Sequence, residues 1–201
     1  MNKAVKYIFI LVIPAFLVSS LAGQNTGRFA VNDDQGRMGK IYFIPEVSLW
    51  FGTITNIQAA PQLAYHITDR LSVGIGPHYI FYQTRSYTGI VGPKTHVWGI
   101  KGFSRVSVIR DASEFLPFYL FDELFFHVEY ERLSLDNTYF QHPSYPDDSR
   151  FWSDYIFVGP GISQRIGMYS SYSILLLWNL NHDYFSLYSN PTYRIGLNIY
   201  F

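Results

Sequence analysis

Beyond residue 40 the chain alternates between apolar and polar positions with a period of two. This period is typical of β-strands whose two faces meet different surroundings, because successive side chains point to opposite sides. The apolar positions recur in enough separate segments to predict eight strands. The predicted strands span residues 43–51, 59–67, 71–81, 98–108, 118–130, 156–166, 172–180 and 193–201.

The alternate positions that face the other way are mostly polar or small. Their four acidic and four basic residues match in number, and a buried charge is far less costly when it is paired. We therefore predict a network of ion pairs and hydrogen bonds inside a closed interior. Its charged members are Glu46, Lys101, Arg105, Glu123, Glu129, Glu131, Arg165 and Arg194.

Three histidines, His66, His78 and His127, lie on the same polar face. Histidines can serve as metal ligands or as a catalytic base. These three fall on three different predicted strands without a recognisable ligand spacing, so we expect hydrogen-bonded interior residues instead.

Composition distinguishes a soluble β-sandwich from a membrane barrel. Of the 201 residues, 19% are aromatic and only 15% are charged, whereas a typical soluble domain has about 25% charged residues. A soluble sandwich buries its apolar face, but a membrane barrel turns that face to lipid and keeps polar groups inside. We predict an all-β fold, a closed antiparallel up-and-down transmembrane barrel of eight strands. Closure is required because an open sheet edge in lipid leaves backbone donors unpaired.

Charge balance and cysteine content exclude several further classes. The absence of cysteine excludes disulfides, thiolate metal sites and cysteine nucleophiles. Fifteen basic residues balance fifteen acidic ones, so no basic surface indicates a nucleic-acid partner. We predict neither a cofactor nor a metal.

The N-terminal residues have the features of a secretory signal peptide. A short basic segment precedes the apolar run 7–18, and small residues at 19–23 offer a cleavage site after Ala22 or Gly23. The apolar run is too short to cross a membrane as a helix. We therefore predict a signal peptide at 1–23, a flexible segment at 24–39 and a barrel domain at 40–201.

Connections between the predicted strands alternate in length. Those at 68–70 and 167–169 are short, although the connection at 110–117 is longer than a typical periplasmic turn. The longer loops span 83–94, 134–150 and 182–190. Outer-membrane barrels have short periplasmic turns and longer extracellular loops, so we expect the long loops at the cell surface and both termini in the periplasm.

The last nine residues, YRIGLNIYF, resemble the C-terminal assembly signal of bacterial outer-membrane proteins, through Arg194, Gly196, Ile199 and Phe201. The stretch 64–76 resembles a hairpin of small outer-membrane β-barrel proteins of the OmpA/OmpX-like architecture. The resemblance implies a bacterial outer-membrane location and contact with membrane lipid and lipopolysaccharide. It also implies recognition by the barrel-assembly machinery.

The resemblance does not assign an activity, and the loops leave alternatives open. We expect a non-enzymatic role, structural or in binding an extracellular ligand through the loops. The alternative is an outer-membrane hydrolase or acyltransferase, because omptin proteases similarly pair two Asp residues with a His-Asp pair that activates water. A narrow pore is a lesser alternative. The candidate catalytic residues are Asp147, Asp148, His182 and Asp183, with His142, Ser144 and Ser149 nearby.

Overall fold

A computed structural model of the chain describes residues 41–50, 54–85, 91–110, 121–146, 148–166, 169–182 and 186–201. The predicted signal peptide and the 24–39 segment lie outside these residues. The described chain forms eight strands and one short helix, α1. They are β1 Ile41–Trp50, β2 Ile54–His66, β3 Leu71–Arg85, β4 Val91–Ile109, β5 Glu123–Asp136, α1 Asn137–Phe140, β6 Arg150–Arg165, β7 Ser170–Asn179 and β8 Thr192–Tyr200.

The strands form one closed barrel in chain order. Each strand pairs antiparallel with the next one along the chain. The first and last strands close it, because Tyr42 pairs with Tyr200 and the amide of Phe201 donates to the carbonyl of Ile41 at 3.0 Å. The prediction of an all-β, eight-stranded, closed antiparallel barrel is therefore confirmed.

The connections define two ends of the barrel. The loop end carries the β1–β2, β3–β4, β5–β6 and β7–β8 connections, and the turn end carries the other three connections with β8's C-terminus. At the loop end the strands extend beyond the predicted limits. β3 and β4 stay paired as far as Arg85 and Val91, so the predicted loop 83–94 is mostly strand, and β5 continues to Asp136 before α1. Towards the loop end the apolar residues of β5 change to the inward face, where Leu133 and Leu135 are buried. The outward apolar alternation therefore ends while the backbone pairing continues.

The fifth strand begins later than the alternation predicts. The predicted start is residue 118, whereas β5 begins at Glu123. Residues 111–120 lie outside the described chain, so the first predicted positions of this strand are not part of the description.

Prolines within the strands fall where they disturb the backbone pairing least. Pro45 and Pro61 lie opposite each other in the β1–β2 pair. Pro61 and Pro77 both fall where the β2–β3 pairing is interrupted, and Pro160 falls where the β6–β7 pairing is interrupted. Since proline has no backbone N–H to donate, the gaps in the β2–β3 and β6–β7 pairing coincide with missing donors, whereas the β1–β2 pairing continues through Pro45 and Pro61.

The two faces of the sheet are inverted relative to a soluble protein. The outward face is apolar and exposed, with Trp98 62%, Tyr193 73% and Ile195 76% accessible. The inward face holds buried polar side chains. They include Gln62, His78, Lys101, His127, Glu129, Glu131, Ser163, Asn179 and Asn198.

Four residues on the predicted apolar face, Leu71, Ser104, Val128 and Ile156, are buried. For Val128 the reason is visible in the strand itself, because the larger Phe126 and Tyr130 stand on the same face two residues away. The even or odd position of a residue along its strand therefore predicts the face on which it lies but not how exposed it is.

Candidate functional site: the charged interior and the loop end

The interior is arranged in layers between the two ends of the barrel. Towards the turn end, a small cluster packs Tyr42, Ile44, Ala64, Phe103 and Tyr200 together. Towards the loop end lies a larger apolar cluster. On β4, Lys101 is placed between Phe103 of the first cluster and Val97 of the second. On this strand the buried lysine therefore lies between members of the two apolar clusters.

Lys101 is the cation at the centre of the charged layer. Its side chain is fully buried, and its Nζ lies 2.9 Å from Glu46 Oε2 and 3.0 Å from Glu46 Oε1. The same nitrogen is 3.3 Å from Glu131 Oε1 and 3.7 Å from Glu129 Oε2. One ammonium thus contacts three carboxylates from two strands.

Arg194 of β8 is the second cation. Its Nη2 lies 3.0 Å from Glu131 Oε1, and its Nη1 donates to Glu129 Oε1 and lies 3.9 Å from Glu46. The guanidinium also lies over the Phe157 ring, 4.8 Å from its centroid. Two cations are therefore shared by three carboxylates, and guanidinium forks bind carboxylates by geometry as well as charge.

Two histidines border the charged layer. The Nε2 of His127 is 3.3 Å from Glu129 Oε2, and the Nδ1 of His78 is 3.6 Å from Glu131 Oε1. Within the described chain neither ring nitrogen of His78 has a hydrogen-bond partner. His66 lies apart from this layer, beside the Tyr42 and Tyr200 rings.

The structure places the other three predicted network residues elsewhere. Arg105 lies nearer the turn end, where it donates to His127 Nδ1 at 3.3 Å and to Asn198 Oδ1 at 3.4 Å. Glu123 accepts a hydrogen bond from Ser107. Arg165 differs from the expectation, because it is the last residue of β6 and its side chain is exposed. The alternation assigned its face, but a residue at the rim reaches water.

A loop residue that sequence reasoning did not assign to the interior completes the charged layer. Tyr188 follows β7, and its hydroxyl donates to Glu131 Oε2 at 2.6 Å. Its ring packs edge-on against Tyr155 and Phe157, at centroid distances of 5.3 and 5.0 Å. Burial and the neighbouring Glu131 carboxylate raise the pKa of Tyr188 well above its ordinary value, so the phenol remains a donor at neutral pH. It lies among other aromatic and apolar loop residues, at 184, 185 and 187, and the sequence does not distinguish which of them enters the barrel.

The β7–β8 connection is also held by amide side chains. Asn179 accepts from the Nδ2 of Asn190 at 3.1 Å through its backbone carbonyl, and its amide N–H donates to Asn190 Oδ1 at 3.1 Å. The side chain of Asn179 donates to Ser186 Oγ at 3.2 Å. These bonds keep Tyr188 directed into the barrel.

The β5–β6 connection is organised by Asn137. Its Nδ2 donates to the carbonyls of His142, Tyr145 and Pro146, and its Oδ1 accepts from the His142 amide at 2.7 Å. The Tyr145 ring stacks on Phe151 with a centroid distance of 4.7 Å. The loop is therefore shaped by its own side chains and presents an aromatic surface.

The candidate catalytic residues are only partly described. His182 and Asp148 are both exposed, and within the described chain no hydrogen bond or ion pair joins them. Asp147 and Asp183 lie outside the described residues.

The neighbouring candidates serve the shape of the loop. The amide of Ser144 donates to His142 Nδ1 at 3.2 Å, and the Ser149 hydroxyl donates to the Pro146 carbonyl at 2.7 Å. The hydroxyl of Ser149 is therefore engaged with backbone in this arrangement.

The four residues of the predicted assembly signal lie on the closing strand or directly after it. Arg194 points into the charged layer, and Gly196 lies beside the Ser173 hydroxyl. Ile199 is half-buried and Phe201 is 72% exposed. Their recognition by an assembly machinery remains a prediction.

Comparisons with known proteins add no family assignment. A scan against protein-family models, a search of curated proteins and a search of solved structures each found no match to this chain. In the described part of the chain, no helix is long and apolar enough to cross a membrane. The described residues also contain no group of three or more His, Cys, Asp or Glu side chains placed to hold a metal ion.

Proposed function

We propose that this chain is an integral outer-membrane β-barrel protein, exported through the signal peptide at 1–23. Its role is non-enzymatic, either structural or in surface interaction through the loop end. The observation that supports this proposal most strongly is the distribution of buried and exposed residues. Charged side chains fill the interior, while Trp, Ile, Leu and Tyr cover the outside.

The distribution of exposed apolar residues favours lipid over a protein partner. Burial of apolar area is worth roughly 25 cal/mol per Å², and soluble monomers rarely expose contiguous apolar patches above a few hundred Å². Here exposed apolar side chains occur on both sides of the closing seam and on the strands opposite it. Examples are Val47 on β1, Ile75 on β3, Phe126 on β5 and Ile195 on β8. A protein partner would cover one sector, whereas lipid covers the circumference.

The packed interior supports a structural role over the narrow-pore alternative. Buried side chains form two apolar clusters that pack against the charged layer, and Tyr188 enters from the loop end. Eight strands leave an interior only wide enough for side chains. The hydrolase or acyltransferase alternative gains no support from the described loop residues.

Insertion can be tested through the tryptophans. A variant that keeps only Trp178, with Trp50, Trp98 and Trp152 replaced by Phe, is refolded into vesicles of phosphatidylcholine with mid-chain brominated acyl groups. Trp178 is 41% exposed on the outward face, so its fluorescence is expected to be quenched by bromine but not by soluble acrylamide. Quenching by acrylamide alone, or protein that remains in the supernatant, contradicts the proposal.

Orientation can be tested with single cysteines, because the chain has none. Ser144→Cys lies in the β5–β6 connection and Thr68→Cys in the β2–β3 turn, and both positions are exposed. In intact cells a membrane-impermeant maleimide is expected to label the first and not the second. Labelling of Thr68→Cys alone would reverse the orientation.

The proposed C-terminal assembly signal has its own readout. Deletion of Phe201 is expected to reduce the amount of folded protein in the outer membrane while leaving refolding of the purified chain in vesicles unchanged. Equal loss in both settings would assign Phe201 to stability instead of assembly.

A further inference from the structure

One sector of the barrel carries the charged side chains that face outward. This holds for the strand residues that the structure describes. On β1, β2, β7 and β8 the described outward positions carry none. On β4, β5 and β6 they gather towards the loop end. They are Lys94, His96, Arg132, Asp136, Arg150 and Asp154.

Two exposed tryptophans frame this sector. Trp98 and Trp152 both pair with Ser134, one from each neighbouring strand. Their side chains are 62% and 55% exposed. A small residue between two large rings leaves space on the outer face above Ser134.

Arg150 occupies that space and is fixed there by three hydrogen bonds. Its Nε donates to Ser134 Oγ at 3.0 Å, and its Nη2 donates to the carbonyls of Ser134 at 2.7 Å and His96 at 2.9 Å. A guanidinium has five N–H donors. The two on Nη1 have no hydrogen bond to any described residue, and the side chain is exposed.

Arg132 stands two residues before Ser134 on the same face, about 7 Å along the strand. Its side chain is 50% exposed, and its guanidinium lies over the Trp152 ring at 5.3 Å from the centroid. Asp154 Oδ1 is 3.8 Å from its Nε, and that oxygen already accepts from the Tyr130 hydroxyl at 2.7 Å. The guanidinium is thus oriented by the Trp152 ring and by its ion pair with Asp154, and half of the side chain remains exposed.

We propose that Arg132 and Arg150 together bind the phosphate group of an anionic lipid in the leaflet at the loop end. This inference rests on the proposed membrane location. Guanidinium groups match phosphate oxygens in charge and in fork geometry. Of the two neighbouring carboxylates, Asp136 caps α1, and Asp154 accepts from the Tyr130 hydroxyl while it pairs with one edge of the Arg132 guanidinium.

The position of Arg132 and Arg150 along the barrel axis indicates that the phosphate they bind belongs to a membrane lipid. Ile100, an exposed apolar residue, lies directly opposite Arg132 on β4, and towards the loop end the outward positions of β4 become His96 and Lys94. Tryptophans mark the level of lipid headgroups in membrane proteins. A lipid phosphate lies at this boundary.

The test measures lipid binding by the full-length protein in dodecyl maltoside micelles with native mass spectrometry. Dioctanoyl phosphatidic acid is the probe, dioctanoyl phosphatidylcholine is the lipid of the same chain length without net charge, and inorganic phosphate is the soluble competitor. Loss of hydrogen bonds to a charged group predicts an affinity for phosphatidic acid at least about tenfold lower in the Arg132→Gln/Arg150→Gln variant. The matched control, Arg70→Gln/Arg110→Gln, removes two exposed arginines at the turn end and is expected to bind as the parent does.

Equal affinity in the test and control variants overturns the inference. Inorganic phosphate that displaces the lipid at equal concentration overturns the assignment to a lipid. Because Arg150 also supports Ser134 and His96, the single variant Arg132→Gln carries the test if the double variant does not fold. A barrel that inserts into brominated vesicles but binds phosphatidic acid independently of both arginines overturns only this inference. A chain that does not insert overturns the proposed function as well.

Discussion

The buried cations of the interior are the residues whose loss costs most. Lys101 Nζ lies within 4 Å of Glu46, Glu129 and Glu131, and its side chain is fully buried. Removal of one partner from a buried charge pair typically costs 3–5 kcal/mol, because the remaining charge stays buried without compensation. The barrel therefore needs all members of the charged layer to be stable, although the layer as a whole adds little net stability.

Lys101→Met is expected to lower the free energy of unfolding by about 3–5 kcal/mol. Urea unfolding of the barrel in vesicles, followed by tryptophan fluorescence, measures this. Arg165→Gln is the matched control, since it also removes one positive charge but from an exposed side chain, and surface changes usually stay within about 0.5 kcal/mol. Equal effects in the two variants would contradict the ion-pair interpretation.

Two glycines on β4 are expected to respond differently to alanine. A Cβ at Gly99 would clash with the Arg132 carbonyl, whereas one at Gly102 would have the Gly74 carbonyl as its nearest contact at 3.5 Å. Gly99→Ala is expected to destabilise by about 1–3 kcal/mol, as overpacking does, and Gly102→Ala is expected to be tolerated. The same urea titration measures the free energy of unfolding of both variants. A larger loss of stability in Gly102→Ala than in Gly99→Ala would contradict the described packing.

At the scale of elements, the strands are longer than their apolar stripes. The alternation predicts strand three to residue 81, but β3 continues to Arg85, and β4 begins at Val91 instead of residue 98. Hydrophobic alternation reports only where one face meets an apolar environment. Backbone pairing continues past that limit because it depends on the neighbouring strand and not on side-chain polarity.

The β7–β8 connection is an element whose position depends on one hydroxyl. Tyr188→Phe removes the hydrogen bond to Glu131 and leaves a buried carboxylate oxygen without its donor. We expect faster amide hydrogen exchange over residues 186–190 and a loss of about 1–3 kcal/mol in stability. Tyr145→Phe is the control, because Tyr145 is an exposed aromatic in the other described loop. Unchanged exchange in Tyr188→Phe would show that ring packing alone holds the loop.

At the scale of the whole molecule, the barrel separates two environments at every strand. Adjacent residues of β7 illustrate this, since Ser173 is fully buried and Ile174 is 39% exposed. Closure makes the separation possible, because β1 meets β8, through Tyr42–Tyr200 and Phe43–Ile199, and the sheet encloses an interior. The outward face is then free to be apolar throughout its middle section.

Spin labels on single cysteines test this separation directly. In vesicles, a label at Ile174→Cys is expected to collide frequently with oxygen, which dissolves in lipid, and rarely with a water-soluble nickel chelate. A label at Ser173→Cys is expected to be protected from both reagents. Free access of the nickel chelate to Ile174→Cys would show that this face meets water, which would falsify the membrane assignment.

The sequence alone determined the class of the fold, the number of strands and the apolar face of each strand. A period of two is a local property, and a residue's face follows from its parity alone. The sequence also identified the eight charged interior candidates, of which Glu46, Lys101, Glu129, Glu131 and Arg194 come together.

Only the tertiary structure decided which of these groups meet. Arg194 of the last strand contacts Glu129 and Glu131 of the fifth strand across the interior, and Tyr188 reaches Glu131 from a loop. Parity assigns a face but no height and no neighbour, so Arg165 was placed inside although it lies at the rim. Contacts across a closed barrel depend on register and closure, which join residues far apart along the chain.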